Sequence, residues 1–299
     1  MLKAVLSAAR PKQWVKNLFV AAPLIFAKRL SDGPILRRGF AAVAIFCAIS
    51  SAVYLWNDIV DVEKDRAHPR KRHRAIASGK LSIRVASVWA GILGIGGLGL
   101  GLMWLGPGFA WSALGYLILN VAYSLWLKRV VYLDVLSISS GFLLRVLAGA
   151  LAVDVHASPY LLVCTALLSC YLGFGKRAHE LASGGERAVS QRAVLQYYTS
   201  SALKLALALT GISTILAYAL YTEAEHTRTF FHTDKMIFTA PFAIVGLWRF
   251  YRLVNQPDSD SPTEAMLTDS IFVLNLIAWA IAVTLIIYLS GVTVPPHPV

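Results

Sequence analysis

Residues 57–65 read Asn-Asp-Ile-Val-Asp-Val-Glu-Lys-Asp and follow directly behind a largely apolar segment, roughly residues 36–56. An apolar stretch of about twenty residues predicts a membrane-spanning helix. If that helix continues, Asp58, Asp61 and Asp65 lie on one of its faces, because residues three and four apart are neighbours on a helix. Three such carboxylates repel one another unless a cation holds them, and Mg²⁺ prefers oxygen ligands. The stretch therefore predicts either a Mg²⁺ site or a solvated acidic turn after a membrane helix.

The composition extends this interpretation to the whole chain. Of its 299 residues, 57% are hydrophobic and only 15% are charged, whereas about a quarter of a soluble domain is charged. We therefore predict an all-α fold, a polytopic membrane bundle of about nine transmembrane helices around a central cavity. It forms one integral membrane domain over residues 1–299, with an interfacial segment at 1–16. The predicted spans cover residues 18–30, 37–57, 84–104, 108–127, 133–153, 157–175, 201–222, 235–254 and 270–290.

The net charge of +12 raises the question of a nucleic-acid partner. In a membrane protein, however, the cytoplasmic loops collect Lys and Arg. With a cytoplasmic N-terminus, the predicted spans place most of the 28 lysines and arginines on that side. We therefore predict no nucleic-acid partner, a multi-pass protein of the cell (inner) membrane, and a cytoplasmic position for the aspartate motif. Cys47, Cys164 and Cys170 lie in apolar helices without metal-ligand spacing and are predicted to be core residues.

Basic side chains cluster on the same predicted side. Lys71, Arg72 and Arg74 follow the aspartate motif. They could bind a phosphorylated ligand, because guanidinium groups bind phosphate oxygens in pairs, or they could form a polybasic surface loop. Two later helices end in a repeated Tyr-x-x-x-x-Lys-Arg pattern, which indicates either topology anchors or a shared polar mouth. The candidate residues in and after these two ends are Tyr123, Lys128, Arg129, Asp134, Lys176, Arg177 and Glu180.

Arg145 lies inside the fifth predicted span, where a charge is costly. Asp134 lies on a similar face near the start of the same span. Arg145 is therefore either a member of a structural ion pair or a ligand for a substrate phosphate, and the sequence leaves both open. Residues 10–17 read Arg-Pro-Lys-Gln-Trp-Val-Lys-Asn. They form either an interfacial anchor or the start of a first helix that carries Lys16 into the cavity.

Five stretches together resemble the UbiA superfamily of intramembrane prenyltransferases and, within it, the decaprenyl-phosphate phosphoribosyltransferase branch. They are residues 10–17, the N-D-x-x-D-x-x-x-D spacing of 57–65, Lys-Arg-His-Arg-Ala-Ile-Ala-Ser-Gly at 71–79, Tyr-Ser-x-x-Leu-Lys-Arg at 123–129 and Leu-Asp-Val-Leu at 133–136. The resemblance implies a helical bundle with a cytoplasmic mouth. It also implies transfer of 5-phosphoribose from phosphoribosyl diphosphate (PRPP) to a polyprenyl phosphate, with release of pyrophosphate, for arabinan synthesis in the cell envelope.

The same resemblance implies roles for the candidate residues. Asp58, Asp61 and Asp65 would hold Mg²⁺ against the diphosphate of the donor. Asn57 would orient a ligand, and Asp134 would join the catalytic carboxylates. The remaining candidates would bind the substrates, without a division between the 5-phosphate and the acceptor phosphate: Lys16, Lys71, Arg72, Arg74, Tyr123, Lys128, Arg129, Arg145, Lys176, Arg177 and Glu180. The oligomeric state stays open, and the sequence is compatible with a homo-oligomer.

One stretch departs from the superfamily's pattern. Most members carry a second aspartate motif, commonly D-x-x-x-D, after the sixth helix, whereas residues 175–181 here read Gly-Lys-Arg-Ala-His-Glu-Leu. A mainly basic stretch disfavours a prenyl diphosphate donor and suits a donor with phosphates at both ends. Two alternatives remain. One is a prenyltransferase acting on an aromatic or quinone-precursor acceptor, and the other is a transporter in which Arg145 and Lys204 are pathway charges.

Overall fold

The computed structural model describes residues 1–69, 71–184, 193–256 and 261–289. Within these ranges the chain forms helices joined by turns, and none of the described residues lies in a strand. This confirms the predicted all-α class. Eight helices in the described ranges are long and apolar enough to cross a membrane. They agree with the second to ninth predicted spans, so the expected number of about nine is close to what the structure shows.

The helices group into two compact units, Met1–Ala157 and Ser158–Val299. The first unit contains α1 (Leu2–Ala9), a 3₁₀ helix (Pro11–Val20), α2 (Ala22–Phe26), α3 (Gly33–Val60), α4 (Val62–Ala67), a 3₁₀ helix (Lys71–His73), α5 (Ile83–Leu105), α6 (Pro107–Leu125), a 3₁₀ helix (Leu127–Arg129) and α7 (Leu133–Ala152). The second contains α8 (Pro159–Gly184), a 3₁₀ helix (Ala193–Tyr197), α9 (Ser200–Glu223), α10 (Glu225–Phe231), a 3₁₀ helix (Lys235–Thr239), α11 (Ala240–Val254), α12 (Pro262–Thr268) and α13 (Ser270–Leu289). One membrane domain over the full chain stays a prediction.

The predicted first span, residues 18–30, is not one long helix. Its place is taken by the end of the 3₁₀ helix Pro11–Val20 and by the short helix Ala22–Phe26. Pro23 stands in the first turn of the short helix, where its missing N–H costs little, but it cannot continue a helix from before. Lys28 then adopts left-handed backbone, with φ 55°, which ends the segment. The long membrane helices of the first unit therefore begin with α3.

The central helix of the first unit is α3. Asp32 caps its start by accepting a hydrogen bond from the Ile35 N–H at 3.2 Å, which satisfies one of the free N–H groups of the first turn. Phe46 and Ile49 are fully buried in the core. The neighbouring helix α5 approaches closely, because a Cβ at Gly97 would lie only 2.6 Å from the Ile49 side chain. The aspartate motif thus begins at the end of a helix that is fixed by close packing.

Arg38, near the start of α3, bonds to the ends of two neighbouring helices. Its Nε donates to the Ala152 carbonyl at 2.8 Å, and its guanidinium also donates to the Leu105 carbonyl at 3.1 Å. These residues end α7 and α5, and the last carbonyl groups of a helix lack helical partners. A cation is also favoured there by the helix dipole. Arg38 therefore has a structural role near the start of α3, at the opposite end from the aspartate motif.

Polar contacts join the helices of the second unit. Tyr171 of α8 donates to the Leu247 carbonyl of α11 at 2.8 Å. Arg249 of α11 donates to both carboxylate oxygens of Asp269, at 2.9 and 2.6 Å. These hydrogen bonds lower the pKa of Asp269. The contact therefore contributes stability above the ordinary pKa of an aspartate, and that contribution is lost as the pH falls through the lowered pKa.

Candidate active site

The aspartate motif lies where α3 ends and α4 begins. Val60 is the last residue of α3, Asp61 forms the turn, and Val62 is the first residue of α4. Backbone hydrogen bonds follow the helical pattern across this turn, from the Asp61 N–H to the Asn57 carbonyl at 3.0 Å and from the Asp65 N–H to the Asp61 carbonyl at 2.8 Å. The predicted helical spacing therefore continues through the motif, although the helix itself is interrupted.

Asp58 and Asp65 are buried and share one arginine. Each residue is 3% exposed. A single nitrogen of Arg74 donates to Asp58 at 3.1 Å and to Asp65 at 2.7 Å. Arg10 donates to the same Asp58 oxygen, and its guanidinium lies over the Tyr54 ring, 5.4 Å from the centroid. Because a buried carboxylate is costly unless it is paired, these two arginines from separate segments stabilise the two aspartates.

Asp61 contacts a different cation. The Nζ of Lys128 donates to both of its carboxylate oxygens, at 2.8 and 3.0 Å, and Lys128 belongs to the 3₁₀ helix that follows α6. Nearby, the Ser124 hydroxyl of α6 donates to the side-chain oxygen of Asn57. Both contacts join residues 67 apart in the sequence. The end of α6 is therefore attached to the motif at two points.

Arg145 of α7 is buried and bonds to neutral groups. Among the described residues, its guanidinium donates to the Asn17 side-chain oxygen at 3.0 Å, the Gly141 carbonyl at 3.0 Å and the Tyr116 hydroxyl at 2.8 Å. Aromatic faces attract a cation. Three rings have centroids 5.7, 4.6 and 5.2 Å from this guanidinium: those of Phe46, Tyr116 and Phe142.

Asp134, which the sequence offered as an ion-pair partner, is not among these described contacts of the Arg145 guanidinium. Asp134 is fully buried at the start of α7. Arg145 instead joins α6 and α7 to the 3₁₀ helix Pro11–Val20, because Asn17 belongs to that segment. Asn17 also donates to Ser50 of α3 at 3.0 Å. Arg145 therefore has a structural role, and its assignment as a phosphate ligand stays a prediction.

The sequence and the fold of this chain have counterparts among known proteins. The sequence profile of the UbiA prenyltransferase family matches residues 18–276. The chain belongs to the UbiA prenyltransferase family. Its fold is similar to the structure of a UbiA homolog from Archaeoglobus fulgidus bound to GPP and Mg²⁺, with a TM-score of 0.71 over 94% of this chain and 99% of that chain. The identity is 15%, so this likeness concerns the fold alone.

Curated UbiA-family relatives match nearly the whole chain. The decaprenyl-phosphate phosphoribosyltransferase of Mycolicibacterium smegmatis is 32% identical over 301 residues, which cover 97% of this chain and 94% of the relative. The enzyme of the same name from Corynebacterium glutamicum is 32% identical over 299 residues, which cover 95% and 87%. The resemblance to the UbiA superfamily and to this branch is therefore confirmed.

The carboxylates of this UbiA chain suit a Mg²⁺ site that is completed by other ligands. Within the described ranges, no group of three or more His, Cys, Asp or Glu side chains is placed to hold a metal ion. Asp58 and Asp65 converge on one nitrogen, whereas Asp61 contacts Lys128. Mg²⁺ commonly takes one or two protein carboxylates and completes its shell with water and substrate phosphates. Asp58 and Asp65 fit that pattern, and the assignment of all three aspartates to a metal stays a prediction.

Five other predicted substrate residues of the first unit differ in exposure. Lys71 and Arg72 are exposed on their 3₁₀ helix, and Arg129 is exposed at the end of the next one. Lys16 and Tyr123 are partly buried. Solvent can therefore reach Lys71, Arg72 and Arg129 directly. The substrate-binding role of all five residues stays a prediction.

The predicted residues of the basic stretch at 175–181 lie on α8 in the second unit. Arg177 is fully buried and donates to Glu180, one turn further along the helix. Lys176 is partly buried. A fully buried arginine differs from an ordinary topology anchor, whose charge is solvated. The structure thus gives Arg177 an internal position, and the binding role of these three residues stays a prediction.

The sequence analysis missed two groups that touch the motif, Arg10 and Ser124. Arg10 is 48 residues away from Asp58. Within residues 10–17, the sequence points to Lys16 as the candidate substrate residue and not to Arg10. Its backbone is left-handed, with φ 52°, a conformation that few residues other than glycine adopt. The Arg-Pro pair signals the turn between α1 and the 3₁₀ helix. It carries no information about the distant carboxylate that the arginine binds.

Proposed function

We propose that this UbiA-family chain transfers 5-phosphoribose from 5-phosphoribosyl 1-diphosphate to decaprenyl phosphate, or to another polyprenyl phosphate, with release of pyrophosphate. The observation that carries this proposal is the 32% identity to a decaprenyl-phosphate phosphoribosyltransferase over 97% of the chain. The product is a lipid-linked pentose that supplies cell-wall arabinan. The charges around the aspartate motif support the same reaction, because all of its reactants carry phosphate groups.

The reaction requires positive charge and alignment more than a strong base. An oxygen of the acceptor phosphate attacks C1 of the ribose while the bond from C1 to the diphosphate breaks, and pyrophosphate leaves with the bonding electrons. The acceptor phosphate is already anionic near neutral pH, so the chain must chiefly hold the two reactants in line. Negative charge builds on the leaving diphosphate, and cations placed beside it lower the barrier.

The motif and its neighbours supply groups for these tasks. Asp58 and Asp65, with Asp61, would hold Mg²⁺, which when bound would offset the charge on the diphosphate. Arg74 would donate to phosphate oxygens, because the guanidinium fork matches their geometry. Lys128 would act as a point charge for a second phosphate, since it already lies 2.8 Å from Asp61.

The remaining assignments follow the family resemblance. Asn57, which accepts a hydrogen bond from Ser124, would orient a ligand, and Asp134 would belong to the catalytic carboxylates. Basic and tyrosine side chains, with one glutamate, would bind the 5-phosphate and the acceptor phosphate: Lys16, Lys71, Arg72, Tyr123, Arg129, Arg145, Lys176, Arg177 and Glu180.

An assay with two substrate pairs tests the proposed function. Purified protein in lipid nanodiscs is incubated with Mg²⁺, labelled PRPP and decaprenyl phosphate. We expect label in the lipid product, loss of that label when EDTA removes the divalent cation, and recovery when Mg²⁺ is added back. A parallel reaction contains a prenyl diphosphate and an aromatic acceptor. Alkylation of that acceptor without any labelled lipid would replace the proposal with the prenyltransferase alternative. In a second preparation, with the protein in sealed vesicles, uptake of unchanged labelled PRPP into the lumen would favour a transporter.

We also propose that the N-terminus and the aspartate motif face the cytoplasm of the cell (inner) membrane, from the asymmetry of Lys and Arg. A cysteine at Ser78 is expected to react with an impermeant thiol reagent from the cytoplasmic side, and one at Thr229 from the outer side. Both positions are exposed. The native Cys47, Cys164 and Cys170 are replaced by alanine beforehand. Reaction of both engineered cysteines from the same side would contradict this topology.

A further inference from the structure

We propose that Arg10 and Arg74 compete with the divalent cation for the same carboxylate oxygens. The two arginines release Asp58 and Asp65 when a diphosphate donor arrives with the cation, and they then bind the donor's phosphates. Metal and donor consequently bind together, and the metal binds weakly by itself. The inference deepens the proposed function and rests on it only for the identity of the donor, PRPP.

The exposure of the side chains decides which partner moves. The side chains of Asp58 and Asp65 are 3% and 5% exposed, whereas those of Arg10 and Arg74 are 29% and 32% exposed. The carboxylates are short and are held by the backbone of α3 and α4. The arginines are long, and they reach the carboxylates from the accessible side. The guanidinium groups can therefore turn away while the carboxylates stay in place.

The contacts at Asp58 make competition unavoidable. One of its oxygens accepts hydrogen bonds from both Arg10 and Arg74. A divalent cation placed on that oxygen would lie within a few ångströms of two guanidinium groups, and like charges at such distances repel one another. The cation must therefore displace the arginines, and it loses part of its binding free energy in doing so.

A diphosphate that binds with the cation offsets this loss of binding free energy. Two aspartates and two arginines are neutral together, so a divalent cation alone leaves the cluster with excess positive charge. A cation that arrives with a diphosphate brings its own countercharge. The diphosphate also offers anionic oxygens to the displaced guanidinium groups, which form short, paired hydrogen bonds with such acceptors. Coupling between two ligands commonly amounts to about 5–150-fold in affinity, and we expect about tenfold here.

The test measures metal and donor binding separately in the full-length protein in nanodiscs, with Mn²⁺ as a paramagnetic probe. In the wild type, PRPP or inorganic pyrophosphate is expected to tighten Mn²⁺ binding by about tenfold. In Arg10→Gln and in Arg74→Gln, Mn²⁺ alone is expected to bind about tenfold more tightly than in the wild type, and PRPP about tenfold more weakly. The matched control is Arg66→Gln, which removes an exposed pair with Glu63 at 2.8 Å and is expected to change neither affinity.

The opposite changes in Mn²⁺ affinity and PRPP affinity distinguish exchange from a structural role, because a structural defect would weaken the binding of both ligands. Mn²⁺ binding that is unchanged or weaker in both glutamine variants would overturn the inference. Arg10→Lys keeps the positive charge but loses the paired N–H donors of the guanidinium. We therefore expect near-wild-type Mn²⁺ binding, because the charge still competes with the metal, and weaker PRPP binding, because the paired hydrogen bonds to phosphate are lost. Tighter binding of Mn²⁺ alone in the glutamine variants, together with pyrophosphate coupling but no response to PRPP, would support the exchange while contradicting the proposed donor.

Discussion

Replacement of Asp58 by asparagine is expected to lower kcat/KM for phosphoribosyl transfer by about a hundredfold or more. Asparagine keeps the size of the side chain and one oxygen acceptor, but it removes the charge that faces Arg10 and Arg74. A bound cation would lose part of its ligand charge, and the two arginines would face one carboxylate where they now face two. Loss of a single preorganised group that stabilises transition-state charge typically costs about a hundred- to a thousandfold.

Glu63→Gln is the matched control for this variant. Glu63 lies on α4 between Asp58 and Asp65, but its side chain is 77% exposed and pairs with Arg66. Such exposed pairs contribute little, so activity is expected to stay within about twofold of the wild type. Thermal unfolding of both variants separates a loss of chemistry from a loss of fold. Wild-type turnover by a folded Asp58→Asn protein would exclude this carboxylate from the active site.

The long helices could be predicted because their signals are local. Each of the eight matched spans contains enough apolar residues to cross a bilayer, and helix starts such as Asp32 of α3 carry ordinary capping residues. Hydropathy failed at residues 18–30, since it counts apolar residues but does not register that Pro23 restarts the helix and that Lys28 ends it in left-handed backbone. Local backbone geometry decided the outcome there.

The site could be predicted only in part, for a related reason. The spacing of Asp58, Asp61 and Asp65 is a local pattern. The structure keeps the helical backbone hydrogen bonds through it, although only Asp58 and Asp65 share a cation and Asp61 contacts Lys128. Arg74 lies only 9 residues from Asp65, but Arg10 and Lys128 lie 48 and 67 residues from the aspartates that they contact. A single sequence does not reveal which cation meets which carboxylate.

Arg145 shows the same limit. Its burial followed from its position in an apolar span. Its partners did not, because Asn17 and Tyr116 from other segments reach the guanidinium, and Asp134, one of the alternatives that the sequence left open, is not among its described contacts.

Replacement of Gly149 by alanine is expected to destabilise the first unit by roughly 3 kcal/mol. An ideal Cβ at this position of α7 would lie 1.9 Å from the carbonyl oxygen of Val20 and 2.8 Å from its carbonyl carbon. Both are backbone atoms, so no side-chain rotation relieves the contact, and α7 must move away from the 3₁₀ helix Pro11–Val20. That movement also stretches the hydrogen bond from Arg145 to Asn17, now 3.0 Å.

Gly99→Ala on α5 is the matched control, because no heavy atom of a described neighbour lies within 4 Å of the added Cβ. At such an open helical position alanine is favoured over glycine by about 0.5–1 kcal/mol, so the two variants should shift the thermal unfolding midpoint in opposite directions. We also expect Gly149→Ala to lose activity, because the segment it displaces begins directly after Arg10, which binds Asp58. A wild-type midpoint for Gly149→Ala would contradict the close approach of α7 to Val20.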